Sequence, residues 1–240
     1  MIQMMINISG KLYNEPVGKG LPYYRIDAAA AVAYVLPYTA TKYTDFKEHK
    51  VSLNTFYAKD VMHQKIIINS HVHNRLEMST TSTGGKRLSF PTYLMEGFNG
   101  PGHMYDHRNN DETDDTTENL RPVTATQNSY NKKIAKNNTS GYKGIVRTKS
   151  KVGKPDTWTA LLCCGGRAYT GLTYKNKLIA ALAYNELAKR YHGEYAGLNT
   201  ITVEMICEVY QDSTKRASLI KDLAKLDKRF GTGWSNVLNA

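Results

Sequence analysis

Cysteine is scarce in this 240-residue chain: there are three, Cys163, Cys164 and Cys207, and no C-x-x-C pair. An odd count with two adjacent residues does not make a disulfide framework, and points instead to a reducing compartment. Without paired C-x-x-C motifs, a structural zinc ribbon is excluded. Long apolar runs are also missing. The longest, Ala28 to Pro37, falls well short of the roughly 20 residues that a membrane span needs; it reads as a short buried helix capped by Asp27 and stopped by Pro37. The opening Met1 to Asn7 has no basic stretch leading into an apolar block, so it does not read as a signal peptide.

Acid is scarce in one place only. Residues 1–124 carry 13 Lys/Arg and 13 Asp/Glu, residues 125–195 carry 13 and 3, and residues 196–240 carry 6 and 5. Of the net charge of +11, +10 therefore falls in the middle segment. Charge concentrated in this way is the footprint of phosphate binding rather than of a merely soluble surface.

The chain changes character several times. Residues 1–85 suggest an α+β region with strands at Tyr23 to Ile26 and Lys65 to Asn69, and no role is assigned to it. Its many tyrosines suit an aromatic core better than a DNA-facing surface. A polar break from Ser79 to Gly85 separates it from a second region, residues 86–136, which reads as strand or short helix from Arg87 to Met95 and a turn at Asn99 to Gly102. There follow a strand at Met104 to Arg108, an acidic loop from Asn109 to Thr117, a strand at Leu120 to Val123, and a helix capped by Thr124 or Thr126. The loop acids Asp111, Glu112, Asp114 and Asp115 read as solvated.

Asp106 and His107 are neighbours on a strand, so their side chains point to opposite faces. A carboxylate for a hard cation and an imidazole for water are two of the groups that metal-assisted phosphodiester cleavage requires. The run Tyr105-Asp106-His107-Arg108-Asn109-Asn110, then Glu118-Asn119-Leu120-Arg121-Pro122-Val123-Thr124, then Gln127-Asn128, resembles the phage H-N-H homing endonucleases with a ββα-metal fold. His107 is followed after 12 positions by Asn119 and after 9 more by Asn128, which is that family's spacing. The His-Arg-Leu segment that often precedes the motif is replaced here by Phe90 to Met95. By this resemblance His107 is the general base, Asn119 holds the loop and orients the imidazole, and Asp106 and Asn128 bind Mg²⁺ or Mn²⁺. Arg121 either contacts a phosphate or pairs with the acidic loop. His71 and His73 lack further ligands nearby, and the remaining histidines read as surface residues.

Residues 137–199 read as three strands, Gly144 to Lys149, Thr157 to Cys163 and Arg167 to Leu172, and a helix from Thr173 to Tyr191 closed by Gly193. Leu178, Ala181, Leu182, Ala188 and Tyr191 form one apolar stripe able to cover the sheet, leaving its other face open and positively charged. The segments Gly141-Tyr142-Lys143-Gly144-Ile145-Val146-Arg147, Trp158-Thr159-Ala160, Gly171-Leu172-Thr173 and Ala180-Ala181-Leu182-Ala183-Tyr184-Asn185 resemble the Apetala/ethylene-response-factor DNA-binding domain. That resemblance implies Lys143, Arg147, Lys149, Trp158, Arg167 and Tyr169 as the DNA-facing set, with Trp158 open to a core reading as well. Residues 200–240 read as a helical tail, with Ile220, Leu223, Leu226 and Phe230 at helical spacing, packed against the body rather than forming a helix-turn-helix.

The expectation is an α+β protein: a ββα-metal nuclease unit, a three-stranded antiparallel sheet packed on one helix, and a helical C-terminal tail. The implied function is site-specific, metal-dependent cleavage of double-stranded DNA, a monomer or weak dimer nicking in the cytoplasm of an infected bacterial host. Neither a membrane nor a nucleotide cofactor is expected. Two alternatives are a non-catalytic DNA-binding protein with a decayed nuclease fold, and a phage packaging or recombination nuclease.

Overall fold

Strand pairing organises the first half of the chain, and a long helix the second. The computed structural model describes residues 5–16, 18–37, 47–70, 75–79, 87–97, 99–150 and 155–239. It is mixed α+β and divides into two units, Met1–Thr126 and Gln127–Ala240. The segments expected at 1–85 and 86–136 thus share most of one unit, and those at 137–199 and 200–240 lie in the other. The polar break after Ser79 and the pair His71 and His73 lie outside the described residues.

The first unit contains β1 (Met5–Ile8), β2 (Lys11–Asn14), β3 (Tyr23–Asp27), β4 (Val32–Leu36), β5 (His49–Ser52), α1 (Leu53–Ala58), β6 (Ile66–Ser70), β7 (Arg75–Ser79), β8 (Arg87–Ser89), α2 (Phe90–Glu96), β9 (Met104–His107), β10 (Asp114–Asp115) and β11 (Leu120–Val123). Helix α3 (Ala125–Tyr130) follows, and the division between the units falls within it. Strands β1 to β5 and β10 form one sheet in the order β1-β2-β3-β4-β5-β10, β6 to β8 form a second, and β9 pairs with β11. Tyr24, Val35, Val51, Phe56, Leu76, Met78, Phe90 and Leu94 make the core between the first two sheets and the short helices. Full burial of a side chain such as Phe56 or Phe90 contributes about 1.5–3 kcal/mol. Helix α2 begins where Ser89 accepts a hydrogen bond from the Thr92 amide, with Pro91 in the first turn.

The run from Ala28 to Pro37 is not a helix. Asp27 accepts from the Ala30 amide and starts a turn, Ala31 takes φ of 54°, and Val32 to Leu36 returns as β4 antiparallel to β3. Val32, Tyr34 and Val35 are β-branched or aromatic residues that favour a pleated surface, and they outweigh the helical preference of the alanines. Tyr13, Tyr23 and Tyr24 are buried, which is the core reading of the tyrosines.

Glu48, just ahead of β5, bonds Lys11 at 2.5 Å and Arg25 at 2.6 Å, and also accepts from the Tyr13 hydroxyl. The Arg25 guanidinium lies 3.6 Å from the Tyr34 ring centre. Burial alone would raise the Glu48 pKa, but hydrogen bonds from Arg25, Lys11 and Tyr13 reverse this and bring it down to about 2.

The second unit contains β12 (Ile145–Thr148), β13 (Thr157–Cys164), β14 (Arg167–Tyr174), α4 (Lys177–His192), α5 (Val203–Gln211) and α6 (Ser213–Phe230). The three strands form one antiparallel sheet with β13 in the middle. Gly165 and Gly166, at φ of 56° and 74°, make the tight turn between β13 and β14. Helix α4 is capped by Asn176, whose side chain accepts from the Leu178 amide, and not by Thr173, which lies within β14. It ends at Gly193.

Nor does α4 present a single stripe: every residue from Leu178 to Asn185 is buried, because the sheet covers one side and α6 another. Leu219, Leu223 and Leu226 of α6 join this core, whereas Ile220 is 46% exposed. The buried carboxylate of Asp222 on α6 accepts from the amides of Lys175 and Asn176 at 2.7 and 2.9 Å, securing the start of α4. The tail is therefore part of the second unit's core. Gly144, at φ of 68°, lies so close to Tyr184 that a Cβ there would sit 2.0 Å from its ring; only glycine fits.

The Glu48 cluster contributes to how the protein responds to acid. A carboxylate with a lowered folded pKa contributes stability that is present above its unfolded value, about 4.5, and lost as pH falls towards about 2. Glu48→Gln should therefore be less stable than wild type at neutral pH, and the gap should narrow across that acid window. Urea unfolding at several pH values checks this; a gap that stays constant with pH would assign the loss to packing.

Candidate active site

The chain at the motif runs strand, loop, strand, helix: β9, the loop holding β10, β11, then α3. Asp106 and Arg121 stand directly opposite each other in the β9–β11 pair, and His107 stands opposite Leu120. Alternation along β9 sends Asp106 and His107 to opposite faces.

On one face, Asp106 Oδ2 accepts from Arg121 Nε at 3.2 Å and from its terminal nitrogen at 2.9 Å. Both residues are buried, at 8% and 4% exposure. Arg121 is thus buried against Asp106 and not on an exposed, phosphate-facing surface. On the other face, His107 Nε2 lies 2.8 Å from Asp115 Oδ1. The other oxygen of Asp115 lies 2.5 Å from Nδ1 of His49, 66 positions earlier in the chain.

Asp115 is 1% exposed and His49 is 2% exposed. The expectation that the loop acids are solvated fails at this residue, because Asp114–Asp115 pair in parallel with Lys50 and Val51 and carry the loop into the large sheet. Burial works to raise the Asp115 pKa, but bonds from His107 and His49 hold it below the usual carboxylate value. Burial likewise works to lower the His107 pKa; the Asp115 bond and charge, with Asp106 and Glu112, leave it raised.

Asn119 closes the loop. Its Oδ1 accepts from the Asn109 amide at 3.0 Å, and its Nδ2 donates to Asn109 Oδ1 at 3.0 Å and to the Asp114 carbonyl at 2.7 Å. The expected loop-holding contacts are present, whereas the imidazole is oriented by Asp115. Asn128 is half-buried on α3 and belongs to the second unit. Among the described residues no group of three or more His, Cys, Asp and Glu could hold a metal ion.

Sequence reasoning missed His49 and His192, which are buried rather than on the surface. His192 stacks on Tyr130 at 3.6 Å and its Nε2 lies 3.0 Å from the Cys163 carbonyl. The signal for His49 was the alternation His49, Val51 of a buried strand.

In the second unit, strand register redistributes the expected DNA-facing set. Ile145 pairs with Ala160 and Arg147 with Trp158, while Leu162 pairs with Tyr169 and Cys164 with Arg167. Ile145, Ala160 and Leu162 belong to the core under α4, and Trp158, Cys164 and Tyr169 pack against it. Arg147 and Arg167 therefore share the helix-covered side, at its margins, where both are exposed. Arg147 is ion-paired with Asp156, and Tyr169 stacks on Tyr191 at 3.9 Å. Lys143 Nζ donates to the carbonyls of Tyr130 and Lys132 at 2.6 and 2.8 Å. Lys149 is exposed just past β12.

The uncovered face instead carries Val146, Thr148, Thr157, Thr159, Leu161, Cys163, Ala168 and Thr170. The expectation that this face bears positive charge is corrected. A one-residue offset in strand parity moves every side chain to the opposite side.

Comparison with known proteins gives one relative to report. The chain is similar to Protein 3.8 of Escherichia phage T7, 29% identical over 106 residues, which are 43% of this chain and 84% of that protein. No family model matches, and no solved structure does. The likeness links the chain to a bacteriophage protein. No helix among the described residues is long and apolar enough to cross a membrane.

The Asp106–Arg121 pair makes a direct prediction. Removing one partner of a buried ion pair leaves an uncompensated charge and costs about 3–5 kcal/mol. Arg121→Met should lose stability on that scale, and the double variant with Asp106→Asn should lose less than the two single losses combined. Simple additivity in urea denaturation would show that the pair is not coupled.

Proposed function

We propose that this protein is a site-specific, metal-dependent DNA endonuclease of the phage H-N-H type. The observation that carries the reading is His107, set at the end of the first strand of a strand-loop-strand-helix run, with its Nε2 against a buried carboxylate. With the proton on Nε2, the lone pair of the neutral ring is on Nδ1, the nitrogen that takes a proton from water. A buried aspartate behind it stabilises the imidazolium that forms.

The donor chemistry fits a hard divalent cation such as Mg²⁺ or Mn²⁺. Asp106 offers a carboxylate, the oxygen-donor type that such a cation takes. Asn128 joins as a ligand on the motif spacing. Such a cation would neutralise charge on the phosphate and the leaving oxygen.

For DNA the second unit is the proposed anchor. Lys149, Lys175 and Arg167 are exposed around a sheet whose open face carries threonines and aliphatic residues, groups that touch thymine methyls and base edges in a major groove. The likeness to a phage protein is in keeping with this reading. One observation favours the non-catalytic alternative: Arg121 already neutralises Asp106.

The test is cleavage of phage and host DNA. With Mg²⁺ or Mn²⁺ the full chain should nick DNA at a few positions, and EDTA should stop it. His107→Ala should lower the rate by about 100-fold or more while leaving DNA binding intact. Undiminished cleavage in that variant would overturn the assigned mechanism. Binding without cleavage in both metals would establish the DNA-binding alternative.

A further inference from the structure

We infer that His49, contributed by β5 from outside the H-N-H motif, is a positioning residue for His107 and acts through Asp115. The inference rests on the reading of His107 as general base, and it deepens that reading by adding the large sheet to the site.

An ionised carboxylate at 1% exposure, as Asp115 is, is strongly disfavoured unless its oxygens are hydrogen-bonded. Its two oxygens face different imidazoles, Oδ1 to His107 at 2.8 Å and Oδ2 to His49 at 2.5 Å. His49 is 2% exposed, and its ring makes an edge-on contact with Phe90 at 6.0 Å. The strands carrying the acid and His49 are joined by parallel backbone pairing, and the Lys50 amide donates to the Thr113 carbonyl at 2.7 Å. Rotation of the Asp115 carboxyl is therefore opposed at Oδ2 by a donor embedded in the core.

This restraint has a chemical consequence at His107. A carboxylate fixed against Nε2 selects the ring tautomer with the proton on Nε2. Without His49, Oδ2 loses its donor, the buried acid rotates or takes up a proton, and its preference for Nε2–H of His107 weakens. The large sheet would then be more than a scaffold. It holds the orienting acid, whereas the β9–β11 pair holds the base.

The experiment uses the full chain labelled with ¹⁵N-histidine, at a pH high enough to leave the imidazoles neutral, with His107→Ala to assign the resonance. Wild type should show His107 as the Nε2–H tautomer alone. His49→Leu, which removes the donor, should show a mixture of tautomers. His49→Asn, whose amide can replace the Nδ1 donor, should restore the single form.

On DNA, His49→Leu should lower the nicking rate by on the order of 10- to 100-fold with unchanged DNA affinity, and His49→Asn should recover much of it. A single unchanged His107 tautomer in folded His49→Leu would overturn the inference. Should His49→Leu not fold, a mixture of tautomers in His49→Asn at wild-type stability would overturn it equally. Altered tautomers in a protein that nicks no DNA would support the positioning and remove the proposed function, so the two failures are distinguishable.

Discussion

The buried carboxylate of Asp115 is the constraint on which the first unit turns. An acid at this depth is tolerated only where both oxygens find donors, and the two imidazoles come from distant parts of the chain. Meeting that requirement fixes the path of the loop between β9 and β11. The loop enters the large sheet at β10, and the reciprocal amide bonds between Asn109 and Asn119 close it. Local loop chemistry and long-range burial thus converge on one geometry. A loop with solvated acids would leave the His107 ring without a defined partner at Nε2.

The second unit is ordered by a different constraint, the close approach of a helix to a sheet. Ala160 on β13 and Ala180, Ala181, Ala183 and Ala188 on α4 are all fully buried, and Tyr184 fills the space over Gly144. Small residues let the backbones approach, and the gain is dispersion over a large contact rather than the burial of a few bulky side chains. Because α6 covers a second side of α4, the helix has little polar surface, and its sequence lacks the one-sided periodicity of a helix lying on a sheet.

That difference accounts for what the sequence made legible. The strands of the motif and the three strands from Ile145 onward were readable, since β-branched and aromatic runs bounded by Gly, Pro and Asn carry local information. The candidate residues Asp106, His107 and Asn119 stand out in the sequence because their spacing is a pattern within a short segment. Asp115 does not. It stands among four other acids within a few positions, and its burial depends on Lys50 and Val51, which no local window contains. The same holds for the run after Asp27, where alanine composition suggested a helix and pairing with β3 made a strand. On the second sheet the strands were found but their parity was not: which side of Arg147 faces α4 follows from register, and register follows from tertiary packing.

The Arg121–Asp106 pair shows how these constraints bear on the proposed chemistry. A carboxylate that is to take a cation must stay ionised in a partly dry site, and the guanidinium bonded to Oδ2 supplies compensating charge before any cation arrives. The same charge lowers the gain from binding the cation, because Asp106 is already neutralised. With Asp106 and His107 on opposite faces of β9, the proposed cation and base would meet at one phosphate only given a twist at the strand end, next to the loop that Asp115 anchors. The pair is therefore a restraint that a bound metal would have to overcome.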